Sequence, residues 1–316
     1  MPTSIAFIMD PIQGLNSAKD STLAMAEKAQ ALGWTLFSVE INKLYVKEGQ
    51  VYARGFNFSV DLSQDDWYQS AEWQEKPLKD FDVVMMRKDP PFDMHYIYAT
   101  YLLELAANEG VLVLNNPASI RNANEKLFTL QFPQCTSPCF VGSDQKEIRA
   151  FLQTHKDIIL KPLDGMGGSS IFRVKEADPN ISVIIETLTQ FQTMPIMAQR
   201  FIPEIVDGDK RILMINGQPV PFSLARIPAK GETRGNLAAG GFGRVQPLSD
   251  RDLWIAHQVG PSLKTMGLMF VGLDVIGDYL TEINVTSPTC IREISKGSGF
   301  DVVSMLFDEI IARLAK

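Results

Sequence analysis

The sequence contains few of the residues that specialised redox or metal chemistry uses. It has 3 cysteines and 3 histidines among 316 residues. An odd, small cysteine count predicts free thiols in a reducing, cytoplasmic compartment rather than a disulfide framework. Cys135 and Cys139 have no histidine nearby, which argues against a zinc site. The histidines are scattered, with no serine or cysteine at a motif spacing, so a nucleophilic triad is not expected.

Positive charge and long apolar runs are also scarce. The formal net charge is -7 and the sequence pI is about 5.1, which argues against a wide nucleic-acid-binding or anionic-membrane surface. No apolar segment is long enough to cross a bilayer, and the run at residues 5–9 is too short for a signal peptide. We therefore expect a protein with no nucleic-acid or membrane partner.

The common nucleotide-binding motifs are missing as well. No G-x-G-x-x-G follows the first apolar run, so a Rossmann dehydrogenase is disfavoured. A lysine, Lys161, does stand beside a glycine-rich stretch, residues 163–170, but it precedes the glycines, so the pattern is not a Walker A loop. Glycines let backbone N–H groups approach phosphate oxygens, and the lysine adds a positive charge. The pattern favours phosphate binding, although a plain hairpin turn remains the alternative.

Hydrophobic periodicity predicts an α/β protein with three regions. Apolar runs at residues 4–9, 34–41, 82–86 and 111–114 alternate with helical stretches, which indicates a parallel α/β domain over residues 1–122. Residues 123–203 are interpreted as a compact α+β domain. Residues 204–316 begin with a hairpin whose turn is Asn216-Gly217 and end in an amphipathic helix at 302–314. Ligands are expected beyond the carboxyl ends of the parallel strands, where Asp10 and the loop 87–93 lie.

The segment 274–289 predicts a metal site. Two apolar runs meet at Gly277-Asp278, which is typical of a β-hairpin. Glu282 and Asn284 would share one face of their strand. A three-residue loop would place Asp274 opposite Glu282, whereas a two-residue loop would shift the pairing by one position. Two carboxylates and an amide form a hard-oxygen site suited to Mg²⁺; the alternative is a solvated hairpin face.

A long loop of small residues, 231–243, is interpreted as a lid that excludes water from a bound substrate, with a disordered surface loop as the alternative. Arg234 lies within it, and Arg211 and Arg226 flank it on predicted strands. Arginine binds carboxylates and phosphates bidentately, so these three arginines are candidate anion ligands. Lys126, near the start of a predicted helix, would on spacing alone be a surface charge.

Taken in order, several motifs resemble the bacterial-type glutathione synthetase family of the ATP-grasp superfamily. They are MDP at 9–11, MRKDPPFD at 86–93, NEKLF at 124–128, ILKPLDGMGG at 159–168, DGDKR at 207–211, ARIP at 225–228, GETRGNLAAGG at 231–241, and the two runs between 270 and 294. The resemblance covers essentially the whole chain. It departs from the family after AAGG, where Phe242 replaces an arginine and Arg244 follows two residues later.

The resemblance implies an ATP-grasp fold of three subdomains, with a pre-ATP-grasp domain at the N-terminus and ATP held between the middle and C-terminal subdomains. Lys126 and Lys161 match phosphate-contacting lysines. The residues implied at the site are, for the nucleotide, Gly165, Gly167, Gly168, Gln199, Phe201, Ile202 and Asp209; for the metal, Asp274, Glu282 and Asn284; for the peptide substrate, Asp10, Arg87, Asp89, Ser287 and Thr289; and for catalysis, Arg211, Arg226 and Arg234.

The implied reaction joins γ-glutamylcysteine and glycine through an acylphosphate, with ATP as co-substrate and Mg²⁺, or Mn²⁺, as cofactor. The family also implies a homotetramer. We expect Arg226 to stabilise the oxyanion, and its replacement by alanine to slow turnover without unfolding the protein. Two alternatives remain: a related ATP-grasp ligase that acts on D-alanine or on a protein tail, and a nucleotide-binding module without catalysis.

Overall fold

The computed structural model describes residues 2–165, 168–229, 235 and 240–315. Its strands are β1 Ser4–Met9, β2 Thr35–Lys47, β3 Gln50–Val60, β4 Tyr68–Ser70, β5 Gln74–Pro77, β6 Val83–Met86, β7 Leu112–Leu114, β8 Cys139–Gly142, β9 Asp157–Pro162, β10 Phe172–Lys175, β11 Ile196–Arg200, β12 Asp209–Ile215, β13 Gln218–Ile227, β14 Phe242–Pro247, β15 Phe270–Ile276 and β16 Tyr279–Asn284. Its α-helices are α1 Ser21–Ala31, α2 Met94–Asn108, α3 Pro117–Asn122, α4 Gln145–His155, α5 Ile181–Leu188, α6 Asp250–Thr265, α7 Ile291–Ser298 and α8 Val302–Leu314.

The first sheet confirms the predicted parallel α/β arrangement. β1 is parallel to β2 on one side and to β6 on the other, and β6 is parallel to β7. β1 is buried on both faces because its residues are almost all apolar. The antiparallel β3, β4 and β5, which extend the edge beyond β2, were missed by the sequence interpretation. α1 is capped by Asp20, whose carboxylate accepts a hydrogen bond from the backbone N–H of Leu23 at 2.8 Å.

The second and third sheets are antiparallel. The second has the order β10-β9-β11-β8, and the third β14-β13-β12-β15-β16. The predicted hairpin around Asn216-Gly217 is confirmed as β12 and β13. Residues 242 and 243, predicted to end the lid loop, instead begin β14. The helix predicted from Asn124 is limited to a 3₁₀ turn over Leu127–Gln131.

The apolar cores show how the three sheets are joined. Two larger cores each combine side chains of the first and third sheets. The second sheet has its own smaller core, whose buried members all lie between residues 148 and 198. Asn115, just after β7, also links the first sheet to the third: its side chain bonds the backbone of Phe270 and the carbonyl of Val285 at 2.8–2.9 Å. The second sheet is therefore the part least tied to the rest.

Candidate active site

A cleft of about 500 Å³ lies between the second and third sheets and is closed on one side by residues 89–90 and 286–289. Fifteen of the twenty predicted site residues line it: Asp89, Lys161, Gly165, Gly168, Gln199, Phe201, Ile202, Asp209, Arg211, Arg226, Asp274, Glu282, Asn284, Ser287 and Thr289. A volume of this size suits a nucleotide-sized ligand. Most of the predicted site residues therefore lie around this one cleft.

The floor of the cleft is one face of the third sheet. Opposed residues of paired strands point to the same face. Asp209 is opposite Arg226, Arg211 is opposite Asp274, and Asp274 is opposite Glu282. This register spreads arginines and carboxylates over four neighbouring strands, with the other face of the sheet packed on an apolar core.

In the hairpin of β15 and β16, Asp274 pairs with Glu282, but the loop is not the three-residue loop from which this pairing was predicted. Its loop has two residues, since Ile276 pairs with Tyr279 and Val275 with Leu280. A β-bulge at Thr281 then restores the pairing of Asp274 with Glu282. The hydroxyl of Thr281 donates to the carbonyl of Asp274 at 3.0 Å and so fixes the bulge. The three predicted metal ligands share one face, as expected.

Asp274 is held by two arginines. Nε and Nη2 of Arg211 lie 2.5 and 3.0 Å from its two carboxylate oxygens, and Nη2 of Arg226 lies 2.9 Å from Oδ2. All three side chains are at least four-fifths buried. Burial alone would raise the pKa of Asp274, but the two guanidinium groups outweigh it and lower this pKa to about 2. Burial likewise would lower the pKa of Arg226, but Asp209 and Asp274 outweigh it and raise that pKa.

This arrangement limits how Asp274 can bind a cation. Its Oδ2 accepts hydrogen bonds from Arg211 and, at 3.2 Å, from the amide of Asn284, and it forms an ion pair with Arg226; among the described residues, Oδ1 accepts a hydrogen bond from Arg211 alone. A carboxylate oxygen has two lone pairs, so Oδ1 alone keeps one for a metal. Glu282 and Asn284 both line the cleft. The set fits one hard cation bound mainly by Glu282 and Asn284. Within the described residues no group of three or more His, Cys, Asp or Glu side chains could hold a metal.

The two predicted phosphate lysines differ in their surroundings. Lys126 is 1% exposed, not the surface charge that spacing alone suggested. Its ammonium contacts the carboxylate of Glu125, donates to the carbonyl of Gly165 at 2.8 Å, and lies 3.7 Å from Glu282. Burial would lower its pKa, but Glu282 and Glu125 outweigh it and raise it. Lys161 lies 3.9 Å from Glu282, and burial lowers its pKa.

The opposite wall of the cleft is formed by the second sheet and the chain leaving it. Gln199 lies on β11, and Phe201 and Ile202 follow this strand. The guanidinium of Arg173 stacks on the ring of Phe201 at 3.5 Å and is held by both oxygens of Asp157. This cation–π contact fixes the wall on which a flat base could rest.

The predicted peptide-binding residues lie at the carboxyl edge of the first sheet, as expected. Arg87 is 4% exposed and donates to the carbonyl of Pro288 at 3.0 Å, while Ser287 donates to the carbonyl of Arg87 at 3.1 Å. Asp10 pairs with Lys88 at 2.9 Å and accepts from the backbone of Asp89 at 3.1 Å. Arg87 and Asp10 therefore stand behind the cleft wall, whereas Asp89, Ser287 and Thr289 line it.

Two predicted residues, Gly167 and Arg234, lie outside the described residues. The main omission of the sequence interpretation is Glu125. It lines the cleft, and its backbone carbonyl accepts a hydrogen bond at 2.8 Å from the backbone N–H of Ile283, which lies between the predicted metal ligands Glu282 and Asn284. Only its place beside Lys126 in NEKLF could have indicated it, because the bond to β16 is a tertiary contact.

Solved structures place this fold in a known class. The chain resembles the ATP-grasp ligase PsnB complexed with minimal precursor, with a TM-score of 0.65 at 17% identity over 98% of this chain and 99% of that one. It resembles D-cycloserine synthetase DcsG with a TM-score of 0.69 at 12% identity, over 98% and 99% of the two chains. At such low identity these likenesses show the fold alone. The fold is the ATP-grasp fold that the sequence predicted.

The sequence comparisons identify the family. Residues 3–121 match the N-terminal domain of prokaryotic glutathione synthetase, and residues 125–299 match its ATP-grasp domain. The chain is 58% identical to the glutathione synthetase of Pseudomonas aeruginosa strain PAO1, over 100% of this chain and 99% of the relative. It is 54% identical to that of Escherichia coli O6:H1, over 98% of each. The chain belongs to the prokaryotic glutathione synthetase family.

Proposed function

We propose that the protein is an ATP-dependent carboxylate–amine ligase that joins γ-glutamylcysteine and glycine to form glutathione, with ADP and phosphate as the other products. The observation that carries the proposal is a set of four cations beside the carboxylates of the third sheet: Lys161, Arg211 and Arg226 line the cleft, and the ammonium of Lys126 lies 3.7 Å from Glu282, which also lines it. A site that brings an anionic nucleotide and an anionic acid together needs such a set.

The chemistry begins with a poor acyl donor. A carboxylate would have to expel oxide, so the cysteinyl carboxylate oxygen first attacks the γ-phosphorus of ATP. The bond from that phosphorus to the bridging oxygen breaks, ADP leaves, and an acylphosphate forms. The neutral amine of glycine then attacks the acyl carbon, phosphate leaves with the electron pair of the C–O bond, and the amine proton is lost to the medium. Exclusion of water protects the acylphosphate from hydrolysis.

Each group of residues has a proposed role in this sequence. Lys126 and Lys161, with the backbone of Gly165–Gly168, bind the phosphates, and the chain at 199–202 and Asp209 bind the nucleoside. Arg211 and Arg226 orient the transferring phosphoryl group, and Arg226 stabilises the oxyanion. The peptide substrate lies against residues 286–289 and the 87–89 segment, with Arg234 closing over it. Glu282 and Asn284, assisted by Oδ1 of Asp274, would hold Mg²⁺ or Mn²⁺, which would neutralise charge on the triphosphate.

The structure changes how the role of Arg226 should be tested. Its guanidinium compensates the buried carboxylates of Asp209 and Asp274, so replacement by alanine would remove the cation paired with Asp209, leave Asp274 with Arg211 alone, and destabilise the fold. Arg226→Lys keeps the charge but loses the fork of donors. We expect turnover to fall on the order of 10²-fold in a folded Arg226→Lys enzyme, the size seen when an oxyanion donor is lost. Unchanged turnover would remove the assignment.

The function itself is tested by measuring ADP release with γ-glutamylcysteine plus glycine, with and without Mg²⁺. The same assay with D-alanine pairs and with a glutamate-terminated peptide plus glutamate covers the related ligases. ADP release that requires the first pair, and a product with the mass of glutathione, is the expected result. Release with another pair, or nucleotide binding with no release, would overturn the proposal.

We also propose a homotetramer. Four exposed apolar side chains, Met94, Tyr98, Tyr101 and Leu105, form a stripe at 3- and 4-residue spacing on α2, the pattern of a helix packed on a partner helix. Light scattering should give four times the monomer mass of 35.2 kDa. A monomer at micromolar concentration would contradict this.

The remaining proposals concern the domain boundaries and the cellular location of the protein. We propose domain boundaries near residues 122 and 203, supported by the three sheets, and a cytoplasmic location, supported by the free thiols of Cys135, Cys139 and Cys290. Among the described residues no helix is long and apolar enough to cross a membrane. Limited proteolysis tests the boundaries and fractionation tests the location.

A further inference from the structure

One residue of the cleft floor has no side chain. Gly272 lies on β15, opposite Asn284 of β16 and on the same face as Asp274. It is not among the glycines with a positive φ, so another residue could adopt its backbone conformation without strain. The reason for glycine at this position must therefore be space.

The space is occupied by Arg211 and Pro288. A Cβ atom at residue 272 would lie 2.9 Å from Cδ and 3.2 Å from Nε of Arg211, and 3.0 Å from Cβ of Pro288. The aliphatic part of Arg211 thus lies directly on the bare backbone of β15, and its Nε continues to Asp274 at 2.5 Å. Neither Arg211 nor Pro288 can move away easily. Asp274 holds the Arg211 side chain, and Arg87 donates a hydrogen bond to the carbonyl of Pro288.

We propose that Gly272 is a positioning residue that sets Arg211 against the segment 286–289. Through the first contact it fixes where the guanidinium meets Asp274 and the transferring phosphoryl group. Through the second it fixes the segment that carries Ser287 and Thr289. Gly272 thereby sets the spacing between Arg211, on the phosphate side of the cleft, and Pro288, on the peptide side. The inference rests on the proposed function, since it concerns the alignment of that reaction.

Gly272→Ala adds a single methyl group and tests this directly. We expect kcat to fall on the order of 10²-fold, since a displacement of about 1 Å can cost that much. The KM for ATP should stay within about twofold, because the wall at residues 199–202 is remote from the methyl. The KM for γ-glutamylcysteine should rise. Gly142→Ala, at another strand glycine without positive φ, would bring its added Cβ to 2.7 Å from the ring of Phe140; because neither residue lines the cleft, this control should keep the wild-type kcat and KM values.

A double-mutant comparison separates positioning from general damage. If Gly272 acts on kcat through Arg211, the methyl should lower kcat less than about twofold in an Arg211→Ala background. An equal loss in both backgrounds would overturn the proposal, as would wild-type turnover of Gly272→Ala.

A crystal structure of Gly272→Ala provides a readout independent of activity. Arg211 is expected to withdraw from Asp274, and an Arg211 that keeps both bonds would overturn the proposal even if activity fell. Failure of the wild-type enzyme to release ADP with γ-glutamylcysteine and glycine would instead refute the proposed function, leaving this structural result intact.

Discussion

At the scale of single residues, the two lysines proposed to bind phosphate show that burial can have opposite effects on stability. Lys126 is buried with a carboxylate and a carbonyl in hydrogen-bonding contact, whereas Lys161 has only the more distant Glu282 as an ion-pair partner within the described residues. A buried ammonium without close partners opposes folding, and a well-paired one supports it once folded. An anionic ligand beside Lys161 would lower the cost of keeping this buried lysine charged.

The first prediction compares Lys161→Met with Lys126→Met. Lys161→Met should keep or raise the free energy of unfolding, by up to about 1 kcal/mol, while abolishing detectable ATP binding. Lys126→Met should lower stability by about 1–3 kcal/mol, because it leaves Glu125 buried and unpaired. Urea unfolding and calorimetric ATP titration measure both effects, with exposed Lys175→Met as control. A large loss of stability in Lys161→Met would contradict the comparison.

The second prediction concerns Asp274→Asn in metal-free buffer. Removing the carboxylate takes away the ion-pair partner of the buried Arg211 and leaves Arg226 paired with Asp209, so we expect a loss of about 3–5 kcal/mol at pH 7. The pKa of Asp274 is lowered in the folded state to about 2, so its contribution is fully present above the unfolded value near 4 and disappears as pH falls towards 2.

The stability difference between wild type and Asp274→Asn should accordingly shrink as the pH falls below about 4. Urea midpoints between pH 2.5 and 7 measure it. Asp278→Asn, on the exposed turn of the same hairpin, is the control and should show no such trend. A difference that grows on acidification would show that Asp274 is not paired as described.

At the scale of elements, the sequence predicted most of what builds the site but not how strands are aligned. Apolar runs located β1, β6, β7 and β15, because a buried strand must be apolar. Alternation placed Glu282 and Asn284 on one face. It could not reveal the bulge at Thr281, since a bulge changes register without changing composition. Nor could the alternation show that the backbone carbonyl of Glu125 bonds to β16, or that Arg226 forms an ion pair with Asp209, because both are contacts between distant segments.

The third prediction tests that bulge. Thr281→Val keeps the shape but removes the hydroxyl bond to the carbonyl of Asp274, and should cost about 0.5–1.5 kcal/mol. Because the bond fixes Glu282 relative to Asp274, the Mg²⁺ concentration for half-maximal turnover should rise severalfold. Thr265→Val removes a similar 3.0 Å bond on exposed α6 and should leave the Mg²⁺ requirement unchanged. An equal Mg²⁺ requirement in both variants would show that the bulge does not position the ligands.

At the scale of the whole molecule, the apolar cores indicate which sheets are packed into one unit and which sheet can move relative to them. The first and third sheets share two cores, so the floor of the cleft and the peptide-binding edge form one unit. The second sheet packs on its own core and reaches the rest through few groups, among them the bond of Lys126 to Gly165. A ligand that bridges the cleft would therefore order the second sheet relative to the other two.

The fourth prediction follows from that division and uses hydrogen exchange with a non-hydrolysable ATP analogue and Mg²⁺. Amide exchange should slow at residues 159–165, 168–171 and 199–205, which form the cleft wall on the second sheet, and should change little in β1 and β6, which are buried in the shared core. Lys161→Met, expected to lose nucleotide binding, should show no slowing. Protection confined to the first sheet would place the nucleotide elsewhere, because a ligand in this cleft must contact the chain at residues 199–202.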